Sequence, residues 1–167
     1  MRILGIDPGL SGGIALIDMT DKEKQSIQAI RTPIYSFKKG NKNKRFLDML
    51  SIINYMIELN PDHAFIEKQQ PYPKQGLSST FMTGLGYGIY LGLLVSQGVA
   101  YTEVAPTKWK KTLGISADKD EARKRASELM PSASDLWQLK SDDGVAEAAL
   151  LAYYGIQSGS ATSKILH

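Results

Sequence analysis

Apolar positions change their period several times along the chain, and each change marks an element. RILGID (residues 2–7) and GIALID (13–18) are short apolar runs, each closing on an acid. The Pro-Gly and Gly-Gly steps between them predict a tight turn joining two β-strands. A more polar run over 25–32 predicts a third strand, and KKGNKNKR (38–45) reads as a Lys-rich loop. From 46 to 59, apolar residues at 46, 47, 50, 53, 56 and 57 follow helical spacing, and Pro61 stops that helix. HAFIEKQQ (63–70) predicts a strand with Glu67 behind its apolar core, and PYPKQG (71–76) reads as a loop by its prolines and glycine.

The weakly polar stretch 77–98 is too long for a strand and predicts a buried helix, in which Gly84, Gly86, Gly88 and Gly92 allow close packing or a helix contact in a dimer. VAYTEVAP (99–106) predicts a further strand. A short helix around TKWKK follows, then one over 118–130 with Ser116 as its N-cap, and a last helix over 141–155 ending at Gly155. Three strands, helix, strand, helix, strand and then helices predict an α/β domain: a five-stranded mixed sheet, with an antiparallel hairpin edge, a parallel continuation and helices on its faces. One domain is expected over 1–155, with 156–167 small and polar enough to form a flexible tail.

Composition narrows the chemistry. The 167 residues contain no Cys and two His, His63 and His167, so a bound metal must be held by oxygen ligands. No run approaches the length of a membrane span and no signal core is visible, so a cytoplasmic protein with no membrane partner is expected. Net charge is only +3, but it is unevenly placed: 38–45 carries five positive charges and no acid, and 107–126 carries seven Lys and Arg against three acids. A charge run is ordinarily a solvated surface; two in one small domain favour a polyanionic partner.

The acids then matter by position. Asp7 ends the first strand, Glu67 ends the fourth, and Asp142, Asp143 and Glu147 stand near the start of the last helix, with Asp143 and Glu147 four apart on one face. Singly, each has an ordinary structural role, as a turn residue or as a favourable charge at a helix N-terminus. Together at one sheet end they would repel one another and call for cations. Mg²⁺ and Mn²⁺ suit carboxylate oxygens, and a pair of them suits phosphodiester hydrolysis. The glycines of the first turn are expected to keep bulky side chains away from such a site.

GIDPG (5–9) with its second hairpin strand, FIEKQ (65–69) and DDGVAEAALLA (142–152) resemble, in order and over residues 1 to about 155, the three acidic motifs of RuvC-type Holliday-junction resolvases, whose fold is RNase H-like. The resemblance implies a homodimer that holds four-way DNA junctions, each subunit nicking one strand with Mg²⁺ or Mn²⁺, two ions per active site, to leave 5′-phosphates. By motif, Asp7, Glu67 and Glu147 match catalytic acids. Bacterial members place an Asp or His three residues before the last acid; here that position is Gly144, so Asp143 is the expected fourth ligand and Asp142 the alternative. A Glu as last acid suits phage-like members, which would place the protein in a host-cell cytoplasm.

The same resemblance offers Lys110, Lys111 and Lys119, with Lys108, as lysines near the scissile phosphate, and Tyr72 as an aromatic at the junction centre. Trp109 reads as a core anchor for its short helix. Lys38, Lys39, Lys42, Lys44 and Arg45 read as phosphate contacts on the DNA face. Three rivals stand beside this: an actin-like phosphotransferase, for which the chain supplies one lobe where two are normal; a DNA-binding protein without cleavage; and a nuclease of relaxed preference for branched DNA.

Overall fold

A computed structural model describes residues 1–21, 25–116 and 119–159. Strands β1 (Arg2–Asp7), β2 (Gly13–Asp18) and β3 (Ser26–Arg31) form an antiparallel meander, and β4 (Ile34–Lys39) and β5 (Lys42–Leu47) form a separate hairpin. Helix α1 (Met49–Leu59), strand β6 (His63–Glu67), helix α2 (Leu77–Ser96) and strand β7 (Ala100–Val104) follow. Helices α3 (Pro106–Leu113) and α4 (Lys119–Leu129), two 3₁₀ turns and α5 (Asp143–Gln157) complete the chain. The main sheet runs β3-β2-β1-β6-β7, with β1, β6 and β7 mutually parallel. This is the five-stranded mixed sheet the residue pattern predicts.

Each face of the sheet carries its own core, and strand parity decides which residue goes where. Leu4, Ile6, Ile14, Leu16, Ala64 and Ile66 pack with α1 and α2 through Ile52, Met56, Tyr90 and Leu94. Ile3, Ala15, Ile17 and Phe65 pack with α3, α4 and α5 on the other face, around Trp109, Ala126 and the Ala-rich body of α5. That body lies close because small residues meet: a Cβ on Gly5 would overlap the Ala148 carbonyl.

Several boundaries differ from the sequence expectation. Residues 38–45 are not a loop but the core of the β4–β5 hairpin, turned by Gly40 and Asn41, with Gly40 at φ +61°, the left-handed first position that a II′ turn requires. The first helix therefore starts at 49, not 46, because Phe46 and Leu47 belong to β5 and Asp48 caps it, accepting from the Ser51 N–H at 3.1 Å. Gly155 does not end α5. The helix runs on to Gln157, and Gly155 sits where a Cβ would overlap the Phe65 ring. Helix α2 is not enclosed: Gly86, Tyr90 and Leu94 are buried, while a Cβ on Gly84, Gly88 or Gly92 would meet nothing within 4 Å. Ser116 donates its N–H to Glu121 at 2.6 Å; residues 117 and 118, between it and α4, and 160–167 of the expected tail lie outside the described residues. No helix among the described residues is long and apolar enough to cross a membrane.

Candidate active site

Alternation along two adjacent strands brings the first two acids together. In β1, Ile3 and Gly5 face α5, so Asp7 continues that row; in β6, Phe65 faces the same core and Glu67 follows it. Ile6 and Ile66 are register partners, and each acid stands one residue beyond, on parallel neighbours about 4.8 Å apart. The start of α5 is pinned against the same end of the sheet. Gly12 and Gly144 form a parallel bridge, and a Cβ on Gly144 would overlap the Ser11 carbonyl and the Gly12 backbone. Of the Gly-Gly step of the first turn, Gly13 admits this helix, whereas a Cβ on Gly12 would overlap the Asp7 carbonyl within the turn itself. Gly9 lies beside the Asp7 carboxylate: a Cβ there would stand 3.7 Å from Asp7 Oδ1, in ordinary contact.

One turn into α5, Glu147 joins the two strand acids electrostatically. Burial, then the charges of Glu67 and Glu147, push the Asp7 carboxyl from an ordinary 3.8 up to about 7, against the opposing Gly9 N–H and Lys110. The Glu67 carboxyl is also raised, first by burial and then by Glu147; Trp109, Lys110 and Gln69 oppose the rise. Helix α3 supplies both of the stronger counterweights. The Trp109 indole N–H donates to Glu67 Oε2 at 2.9 Å, and Lys110 Nζ donates to Glu147 Oε1 at 2.7 Å. Burial lowers the pKa of Lys110, but its bond to Glu147 and the charges of Glu147, Glu67 and Asp7 outweigh that, so it is held above its usual value.

The other predicted ligands are engaged elsewhere. Asp143 Oδ1 pairs with Arg123 Nε of α4 at 2.7 Å. Asp142 Oδ1 pairs with Arg31 Nε of β3 at 2.6 Å, and its Oδ2 accepts from the Leu139 N–H at 2.9 Å, closing the turn before α5. Asp143 and Glu147 do share a face as the spacing predicts, but they answer to different helices. Gly144 stands where the resemblance expects an acid, and no side chain fits there.

Of the lysines, Lys110 is inside the cluster, whereas Lys108 and Lys111 are exposed on α3. Lys119 begins α4, but its side chain lies outside the described residues, as do those of Lys39 and Lys42. Lys38, Lys44 and Arg45 are exposed on the hairpin, and Tyr72 is exposed in the loop after β6. Trp109 is buried as expected, but its bond to Glu67 is not legible in sequence, and neither are the Arg31 and Arg123 pairings. Partners separated by 42, 111 and 20 residues leave no local pattern.

Among the described residues, no three acids or imidazoles stand close enough as placed to hold one metal ion, and Glu147 faces the Lys110 ammonium instead. The donor chemistry nonetheless fits a hard divalent cation: oxygen-only ligands, two of them pressed towards their protonated forms by burial and like charge, are what such an ion relieves.

No family model matches the sequence, and no curated protein matches it. Solved structures do. Thermus thermophilus RuvC in complex with a Holliday junction substrate superposes with a TM-score of 0.63 at 14% identity, covering 96% of this chain and 97% of that one. A second T. thermophilus RuvC structure gives 0.59 at 16% identity, covering 95% and 97%. The yeast mitochondrial Holliday junction resolvase Ydc2 gives 0.57 at 14%, covering 95% of this chain and 80% of that one. The chain has the fold of the RuvC-type Holliday-junction resolvases, an RNase H-like domain.

Proposed function

We propose that the chain is an endonuclease dependent on Mg²⁺ or Mn²⁺ that resolves four-way DNA junctions as a homodimer, each subunit nicking one strand and leaving a 5′-phosphate. The observation that carries this is the meeting of Asp7, Glu67 and Glu147, from two parallel strands and one helix, with Lys110 among them. Asp7, Glu67 and Glu147 would hold the ions. When bound, the ions supply an activated water and neutralise charge at the phosphate. Asp143 and Asp142, held by Arg123 and Arg31, fix the start of α5 so that Glu147 faces the strands.

The remaining residues prepare the site for a polyanion. Trp109 orients Glu67 through its indole N–H. Lys110 balances Glu147 before substrate arrives and stands where charge on a phosphate would gather. Lys108, Lys111, Lys119 and the hairpin cations would supply contacts that position DNA without reading its sequence, and Tyr72, exposed in the loop after β6, would be the aromatic at the junction centre. The dimer is supported by α2, a 20-residue helix without a charged side chain. Its outward stripe exposes Phe81, Leu85 and Val95 beside Gly84, Gly88 and Gly92, a surface suited to close approach by a second helix.

The test is cleavage of end-labelled four-way junction, Y-fork and linear duplex with Mg²⁺ or Mn²⁺, mapping each strand. Paired symmetric cuts confined to the junction, with 5′-phosphate ends, sustain the proposal. Equal cutting of forks would replace it by a nuclease of relaxed preference. Absence of cutting together with a nucleotide-induced thermal shift would favour the phosphotransferase.

A further inference from the structure

The β4–β5 hairpin lies outside the five-stranded sheet and carries a second surface with chemistry of its own. Its register sets Tyr35 opposite Phe46 and Phe37 opposite Lys44, so all four side chains lie on one face. The three rings are close to parallel: Phe37 and Phe46 stand 5.4 Å apart at 6°, Tyr35 and Phe46 5.8 Å apart at 20°. Tyr35 and Phe37 remain 51% and 46% exposed, so the aromatic cluster is open to a ligand.

A cleft of about 510 Å³ runs between this face and α2, with Tyr35 and Phe46 on one wall, Met82 and Leu85 on the other, and Pro8 and Gly9 at its end. Gly9 donates its N–H to Asp7 Oδ1 at 3.4 Å, so the cleft opens onto the active-site loop. Around it, residues 32–47 contain five Lys and Arg and no acid. An apolar peptide would find the rings but has no use for that charge. Duplex DNA would find the charge but hides its base faces in the stack. An unpaired nucleotide has both a π-face and a phosphate.

We propose that this cleft takes an unstacked nucleobase of the branched DNA, its ring lying against Tyr35 and Phe46 with Phe37 beside them, and its phosphate on Lys44, which shares their face. The inference rests on the nuclease reading above and deepens it: a strand leaving the branch point is held out of the stack beside Asp7. Base-on-aromatic stacking tolerates any sequence, as a structure-selective enzyme requires.

The test uses the full chain carrying Asp7→Asn, to prevent cutting, with and without Tyr35→Leu and Phe37→Leu. Leu keeps the apolar volume on exposed strand positions and removes the flat ring, and thermal melts confirm that the fold is retained. Binding of a four-way junction, of oligothymidylate and of blunt duplex is measured over a range of salt. The double Leu variant is expected to lose about 5- to 150-fold in affinity for junction and oligothymidylate, little for duplex, with an unchanged salt slope. Tyr35→Trp is expected to retain binding, and Lys44→Gln to flatten the salt dependence.

Unchanged affinity, equal loss on duplex, or a shift in oligomeric state in place of DNA binding would overturn the proposal. If the protein neither binds nor cuts junctions, the nuclease reading fails, and oligothymidylate decides the cleft alone: ring-dependent binding sustains it, and no binding overturns it.

Discussion

Trp109 and Glu67 are joined at 2.9 Å across the gap between α3 and the end of β6, so the one indole of that helix serves the core with its ring and the acid cluster with its N–H. Trp109→Phe keeps an aromatic in place but strips a hydrogen bond from a charged acceptor. A loss of about 2–4 kcal/mol in stability is expected from the bond and the residual cavity together. Single-turnover nicking should fall more than junction affinity, because Glu67 loses its orientation while the exposed lysines are untouched; measuring both on one preparation checks it.

Asp7 gives a pH dependence with a definite sign. Its carboxyl titrates near 7 in the folded protein against about 3.9 in an unfolded chain. The fold therefore disfavours the ionised form, at no cost below pH 4 and at a cost that grows up to about pH 7 and stays level above. At roughly 1.4 kcal/mol per pH unit, the ceiling is about 4 kcal/mol. Without metal, Asp7→Asn should melt higher than the parent at pH 8 and at nearly the same temperature at pH 4, while abolishing metal-dependent nicking. Melts in chelator at both pH values decide it, and a variant less stable at pH 8 would contradict the burial described above.

Gly144→Asp places an acid where the family pattern has one. Here it should fail to add activity. Its Cβ must displace the Ser11 and Gly12 backbone, costing about 1–3 kcal/mol or more and pushing Glu147 off its place. Lower melting temperature and reduced nicking are expected; raised nicking would show that the helix start can yield.

Gly88→Arg separates fold from assembly. No atom stands within 4 Å of a Cβ at this position, and replacing Gly within a helix gains about 1 kcal/mol in propensity. The substituted protein should melt no lower than the parent while sedimenting as a monomer. Junction cleavage should then lose its paired symmetry and yield single nicks.

Much of this molecule was legible in its residues. Short apolar runs gave β1, β2 and β6 with Asp7 and Glu67 at their ends, and the strand order placed both acids at one end of the sheet; that they leave it on the same face follows from the register of β1 on β6. The hairpin of 34–47 was hidden by its lysines, although alternation of Tyr35 and Phe37 with polar neighbours and the Gly40-Asn41 step were the signals for it. Asp143 illustrates a different limit. Helical spacing places it correctly on the face of Glu147, but which cation meets it depends on how α4 packs, and a single sequence does not carry that distance. The α2 glycines divide for a similar reason: Gly86 is buried while Gly84, Gly88 and Gly92 lie on the open side, and only tertiary structure says which side a small residue serves.

The bridge between Gly12 and Gly144 makes the first turn and the start of α5 a single joint, built from main chain. The spacing between strand-borne and helix-borne acids is thus fixed when the chain folds, whatever side chains the acids carry. In a diverging lineage that keeps this joint neither position can take a side chain, because a Cβ at 12 would meet the Asp7 carbonyl and one at 144 the Ser11 carbonyl, whereas no such main-chain contact limits the length of the Glu147 side chain. Glycine at both halves of the joint, rather than identity at the acids, is the mark by which distant members with this geometry would be found.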